Sequence, residues 1–156
     1  MIFVAVGTQF PFDRLIKNVD QWLKTHPNET AFAQIAEADY QPKRMQWEQF
    51  MDAETYQQKI AQASVIVSHA GMGNIITACE QQIPIIVMNR QYQLGEHRND
   101  HQADGLKWMS KLTGVYAAPS SKELFHYLEQ YQSLERPQFS KNNRRDSLIN
   151  FIETQL

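Results

Sequence analysis

Cysteine is nearly absent: Cys79 is the one thiol among 156 residues. No internal disulfide is open to it, so a reducing compartment is expected. Basic excess is absent too. A formal net charge of −2 gives no general pull toward nucleic acid or anionic lipid. No apolar run reaches the length needed to cross a bilayer. Met1 to Val6 is too short for a signal peptide and no basic residues precede it. The expectation is a cytoplasmic chain that meets a membrane only through a partner. Internal repeats, low-complexity tracts and linkers are missing as well. What is present suits one globular domain over 1–156: 42% hydrophobic residues and 21% charged ones, in a chain long enough for a real core.

Short apolar runs alternate with helical periodicity from end to end. Ile2 to Val6 reads as a buried strand, ended by Gly7-Thr8-Gln9. Pro11 suits a first helical turn, and Phe12, Leu15, Ile16, Val19, Trp22 and Leu23 then recur on one helical face. Thr30 to Ala36 and Met45 to Met51 read as strands around a polar loop holding Pro42. Asp52 is placed to cap a helix running to about Ala63. Ser120 and Glu123 have capping-box spacing before Leu124, Leu128 and Tyr131. Val115 to Ala118 reads as a last strand, and about 140–156 as a terminal helix. Alternation of this kind predicts an α/β fold, a Rossmann-like parallel sheet with helices on both faces.

The organising stretch runs from Ser64 to Gln102. A strand, Val65 to Val67, enters the turn His69-Ala70-Gly71-Met72-Gly73-Asn74. A helix, a second strand over Ile83 to Met88, and the run Glu96-His97-Arg98-Asn99-Asp100-His101-Gln102 follow. In a parallel sheet both loops, and Gly7 to Gln9 with them, lie at the carboxyl edge, where ligands of open α/β sheets bind. Glycine lets backbone approach a ligand closely, and a helix opening near Asn74 offers free N–H groups and a positive dipole end to an anion such as a diphosphate. By itself, Gly-x-Gly equally describes a plain tight turn.

Seven consecutive polar residues from Glu96 suit the hydroxyls of a sugar, which need donors and acceptors together. A solvated helix start is the plainer reading. His97 and His101 lie four apart, but no third metal ligand is evident. Cys79, Trp22, Trp47 and Trp108 read as packing, and Lys141, Arg144 and Arg145 as a solvated basic patch.

Four segments carry a family resemblance: Phe3-Val4-Ala5-Val6-Gly7-Thr8 with Phe12-Asp13-Arg14-Leu15-Ile16; Ser68 to Gly73; Pro84 to Met88; and Gly95 to Gln102. The chain resembles the C-terminal, nucleotide-sugar-binding half of the two-domain GT-B glycosyltransferases of family 28. It is most similar to small catalytic subunits of split transferases, of the bacterial capsule and exopolysaccharide kind and of the eukaryotic dolichol-linked kind. The resemblance implies a UDP-sugar donor, no cofactor and no metal, and inversion at the anomeric carbon. It also implies a membrane-anchored partner subunit that binds a lipid-linked saccharide acceptor, with this chain peripheral at the inner membrane face through that partner. A homo-oligomer is also compatible. A complete transferase of this kind needs on the order of 300 residues, so this chain is expected to be one half.

By position, the resemblance puts Gly7, Thr8 and His69 to Asn74 (Ala70, Gly71, Met72 and Gly73 between them) at the diphosphate, the backbone around Phe50 and Met51 beside the uracil, and Asp100, His101 and Gln102 at the donor sugar. From the polar loops themselves, Gln9 joins the diphosphate candidates and Glu96 and His97 the donor-sugar ones. His69 is the candidate catalytic residue. Thr77 stands where many relatives carry a ribose-binding glutamate, Asn74 replaces a serine or threonine, and Asn89 a frequent proline. Two other functions fit parts of this pattern. One is a non-catalytic nucleotide-sugar sensor or regulatory subunit. The other is a nicotinamide-dependent enzyme, against which stands Ile76 where the fingerprint wants glycine or alanine.

Overall fold

The computed structural model describes residues 1–98 and 101–138, with backbone alone for 101–104. The strands are β1 (Ile2–Ala5), β2 (Ala31–Gln34), β3 (Gln46–Glu48), β4 (Val65–His69), β5 (Ile85–Met88) and β6 (Val115–Ala117). The helices are α1 (Asp13–Lys24), α2 (Ala53–Gln62), α3 (Met72–Gln81), α4 (His101–Met109) and α5 (Ser121–Glu129). The sheet order is β3-β2-β1-β4-β5-β6 and every pairing is parallel. The Rossmann-like expectation holds.

Alternation along the strands builds two cores. Ile2, Val4, Val65, Val67, Ile86 and Met88 face one way, onto Leu15, Ile16 and Val19 of α1 and Leu124 and Leu128 of α5. Phe3, Ala5, Ile66, Ile85 and Val87 face the other way, onto Ile60 of α2, Ile75, Ala78 and Cys79 of α3, and Leu106 and Met109 of α4. With both faces covered, the strands need continuous apolar runs, as the sequence has. Each fully buried aliphatic or aromatic side chain contributes about 1.5–3 kcal/mol. Cys79 belongs to this core, and burial, with Glu80 adding to it, pushes its thiol up to about 12.

Several boundaries are tighter than periodicity predicts. β5 starts at Ile85 because the Ile83 N–H closes α3 by donating to the Ala78 carbonyl at 2.9 Å. β3 is short, though Ile35 and Ala36 still donate to the Glu48 and Gln49 carbonyls. Leu106, Met109 and Leu112 recur at helical spacing, but α4 stops at Met109. The loop over residues 37–44 is anchored by Asp20 of α1, fully buried, which accepts from Tyr40 Oη at 2.6 Å, the backbone N–H groups of Lys43 and Arg44, and Arg44 Nη1. The terminal helix read at 140–156 and the basic patch at Lys141, Arg144 and Arg145 lie outside the described residues.

Candidate functional site

Strand order reverses direction between β1 and β4, and the loops that leave these neighbours open the crevice where α/β sheets bind ligands. The β4 loop leads into α3. Its N-cap is Gly71, which offers no side-chain cap, so the first N–H groups of α3 lack an intrahelical acceptor. α2 and α5 differ. Asp52 accepts from the Thr55 N–H at 2.7 Å, and Ser120 and Glu123 form the expected capping box. The starts of α3 and of α1, whose N-cap Phe12 makes no side-chain hydrogen bond either, are open, and those of α2 and α5 are closed.

His69 ends β4 and packs against both neighbouring glycine backbones. A Cβ on Gly71 would come within 2.1 Å of its Nε2, and one on Gly7 within 2.8 Å of its Cε1. Gly7 also holds φ +82, so it is fixed twice over, by conformation and by room. Gly73 has open space around it, leaving the first turn of α3 bare. Burial is the main reason the His69 imidazole sits at about 4 rather than 6.5; the nearby Arg90 charge and His97 push the same way, against a backbone hydrogen bond at Ala5. His69 is therefore neutral at pH 7, a hydrogen-bonding group and not a cation.

Around it the polar groups interlock. Asn74 Nδ2 donates to Ser68 Oγ at 2.6 Å, Ser68 Oγ donates to the Ala5 carbonyl at 2.8 Å, and Tyr56 Oη donates to Asn74 Oδ1 at 2.8 Å. The Asn74 side chain thus fastens α3 to β1, β4 and α2, and only its backbone N–H remains for a ligand. Thr77 Oγ1 donates to the Gly73 carbonyl within α3.

The Glu96 segment lies at the same edge. Glu96 itself is engaged: Arg14 Nε and Nη2 grip its carboxylate at 2.8 and 2.9 Å, and the Gln91 N–H donates to it at 2.8 Å. His97 meets the Phe10 ring edge-on at 5.5 Å, and Arg98 lies over that ring at 5.7 Å. A cleft of about 540 Å³ opens between Gln9, Phe10, His97 and Arg98. Thr8 and Gln9 are exposed at its side. Phe50 is exposed after β3, and Met51 packs on the α2–α3 side. Asp100 lies outside the described residues; His101 and Gln102 begin α4, their side chains undescribed. Among the described residues, no cluster of three or more His, Cys, Asp and Glu side chains could hold a metal.

Two buried polar residues escaped the sequence reading. Gln34, at the end of β2, accepts from the Gly7 N–H at 3.1 Å and donates to the Gly7 and Gln49 carbonyls. Arg90, just past β5 and 3% exposed, donates through Nη2 to the Val6 and Phe10 carbonyls, each at 2.6 Å. A glutamine at a strand end and an arginine after a strand carry no spacing signal; both reveal themselves only through partners distant in sequence.

Similar folds occur in known structures. ALG13 in solution matches with TM-score 0.65 and 18% identity, covering 94% of this chain and 93% of that one. The glycotransferase of kitacinnamycin matches with TM-score 0.62 and 16% identity, over 84% of this chain and 34% of that one. MurG of Acinetobacter baumannii matches with TM-score 0.58 and 13% identity, over 97% of this chain and 49% of that one. The chain thus spans about a third to a half of the two larger proteins and nearly all of the small one. No curated protein matches it in sequence. The sequence pattern of the glycosyltransferase family 28 C-terminal domain, by contrast, matches residues 1–147, and the chain belongs to that family.

Proposed function

We propose that this chain is the donor-binding catalytic half of a two-component glycosyltransferase that moves a hexose from a UDP-sugar to a lipid-linked acceptor held by a membrane-anchored partner subunit. The observation that carries the reading is the junction of Gly7, His69 and Gly71 beneath the uncapped start of α3. The diphosphate docks on the amides there, the uracil near Phe50 and Met51, and the hexose beside His97 and the start of α4. The likeness to ALG13 over nearly the full length of both chains supports a small, separate subunit of this shape. Polysaccharide assembly of the capsule or exopolysaccharide kind is the setting proposed.

In the proposed step an acceptor hydroxyl attacks the anomeric carbon from the face opposite the leaving group. The C–O bond to UDP breaks with inversion, and the hydroxyl proton passes to a base. Negative charge develops on the departing diphosphate, where preorganised N–H groups stabilise it. Neutral His69 adds a hydrogen bond there. Glu96 is committed to Arg14, so the base is assigned to the partner subunit. Calorimetry with UDP and transfer assays with the reconstituted pair test this. UDP uptake without transfer in the presence of a competent partner would favour the non-catalytic sensor instead, and NAD bound in preference to UDP would remove both readings.

A further inference from the structure

The β1–α1 loop is anchored in the core at Val6 and Phe12, but between them residues 7–11 carry backbone that faces the site and no buried apolar side chain. Thr8 and Gln9 are exposed. What holds it is a pair of buried polar side chains. Gln34 fixes Gly7 from the β2 side. Arg90 reaches back 84 residues to the Val6 carbonyl and 80 to the Phe10 carbonyl, so one guanidinium nitrogen closes the stretch Gly7–Gln9 at both ends. The same guanidinium lies 5.2 Å from the Phe12 ring centre, and Arg14 approaches that ring at 5.3 Å. Arg14 in turn donates to the Asn89 carbonyl and grips Glu96. The β1–α1 loop and the Asn89–Glu96 segment are therefore laced together by buried or half-buried charge. Burying a guanidinium is costly, and an apolar residue would pack a structural loop as well. The two N–H groups of a single Nη, fixed in the guanidinium plane, can hold two separate carbonyls in set directions.

We infer that Arg90 is a positioning residue: by tying the ends of the Gly7–Gln9 loop to the β5 edge, it holds the diphosphate-facing amides and the sugar-facing Glu96 segment as one rigid half-site. The ligand part of this inference rests on the UDP-sugar reading above; the loop part does not. Arg90 is 3% exposed and works by what it holds. It acts through Val6 and Phe10, and through its charge beside His69, whose other titratable neighbour is His97.

The test uses the full chain with Arg90→Lys and Arg90→Met. Arg90→Lys keeps the charge and loses the two N–H directions that the guanidinium plane fixes. Its UDP affinity is expected to fall about tenfold, the scale of a misplaced positioning contact, with faster amide exchange at Thr8 and Gln9. Arg90→Met is expected to do the same and also to raise the His69 titration, followed by NMR, above about 4, with burial still holding it below 6.5. Leu128→Ala is the control for lost stability alone. It empties core under α5 and is expected to leave UDP affinity within about twofold while lowering the melting temperature. If Arg90→Met does not fold, Arg90→Lys decides alone. Arg90→Lys with UDP affinity within about twofold of wild type and unchanged exchange at Thr8 and Gln9 overturns the inference. Wild-type protein that takes up no UDP overturns the donor reading instead, and the exchange rates and the His69 titration then still decide the role of Arg90.

Discussion

The two ends of the sheet are both concave, polar and aromatic, and they are built on opposite plans. At the amino end of the strands, the close of α1 meets the close of α5 around a hollow of about 450 Å³. Its groups answer one another. His26 stacks on Trp22 at 3.9 Å, Trp22 Nε1 and His26 both engage Glu129, and Tyr131 Oη donates to Glu29 at 2.5 Å. At the carboxyl end, side chains are spent on holding backbone, while helix amides, Gly73 and the exposed Thr8 and Gln9 face outward. The two hollows are of similar size, about 450 and 540 Å³, so size does not tell them apart. What marks a site is polar capacity left open by groups that are themselves rigidly held.

The largest expected effect comes from Gly73→Asp. Nothing lies within contact range of a Cβ there, and an acid in a first helical turn favours the dipole, so folding is kept. Placed against a diphosphate, the same charge is expected to weaken UDP at least about a hundredfold in calorimetry. Retained affinity would erase the contrast between the ends. Next comes His69→Ala, expected to slow transfer in the reconstituted pair about tenfold or more, as one lost transition-state contact does. His69 also carries a pH signature. Its folded value of about 4 lies below the ordinary 6.5, so the unfolded chain binds the extra proton first, and melting temperature is expected to fall as the pH drops through that window. In His69→Ala that slope should flatten.

Gln34→Leu sharpens the comparison from the stability side. It strands the Gly7 and Gln49 backbone groups, at about 1–3 kcal/mol in denaturant melts, and loosens UDP binding as well. Smallest is the effect at the amino end. His26 is raised, first by its hydrogen bond to the Trp22 backbone and then by Glu129, while Glu129 is lowered by Trp22 and His26. Their mutual contribution is present above the depressed Glu129 value and fades as the pH rises through the elevated His26 value. His26→Gln is expected to shift the melting temperature slightly in that interval and to leave UDP affinity unchanged. A loss of affinity there would join the two ends functionally.

Much of this was legible beforehand, for physical reasons. Buried parallel strands must be continuous apolar runs, so Ile2 to Val6, Val65 to Val67 and Ile83 to Met88 announced the sheet, and the parallel order then placed their loops at one edge. Asp52 and the Ser120–Glu123 pair act within one turn, so spacing alone revealed them. Glycines beside a histidine at a strand-to-helix turn showed where backbone comes close. Residues acting across the fold were illegible. Gln34 and Arg90 look like any polar residue at a strand end. The polarity of Glu96 and Asn74 suits a ligand, but their side chains also have partners within the fold, Arg14 for the one and Ser68 and Tyr56 for the other, which spacing does not show. Composition cannot tell a polar group that meets a guest from one that meets its neighbour.

Cys79 offers a clock for the fold. It is 1% exposed, its thiol is held near 12, and it sits on α3, whose opening bears the proposed ligand. A sulfhydryl reagent reaches it only when that helix lifts from the sheet, so the modification rate reports the free energy of that opening without any added label. Any molecule that docks on the closed form slows the reaction by one plus its concentration over its Kd, so occupancy can be read from a colour change even where no turnover is seen.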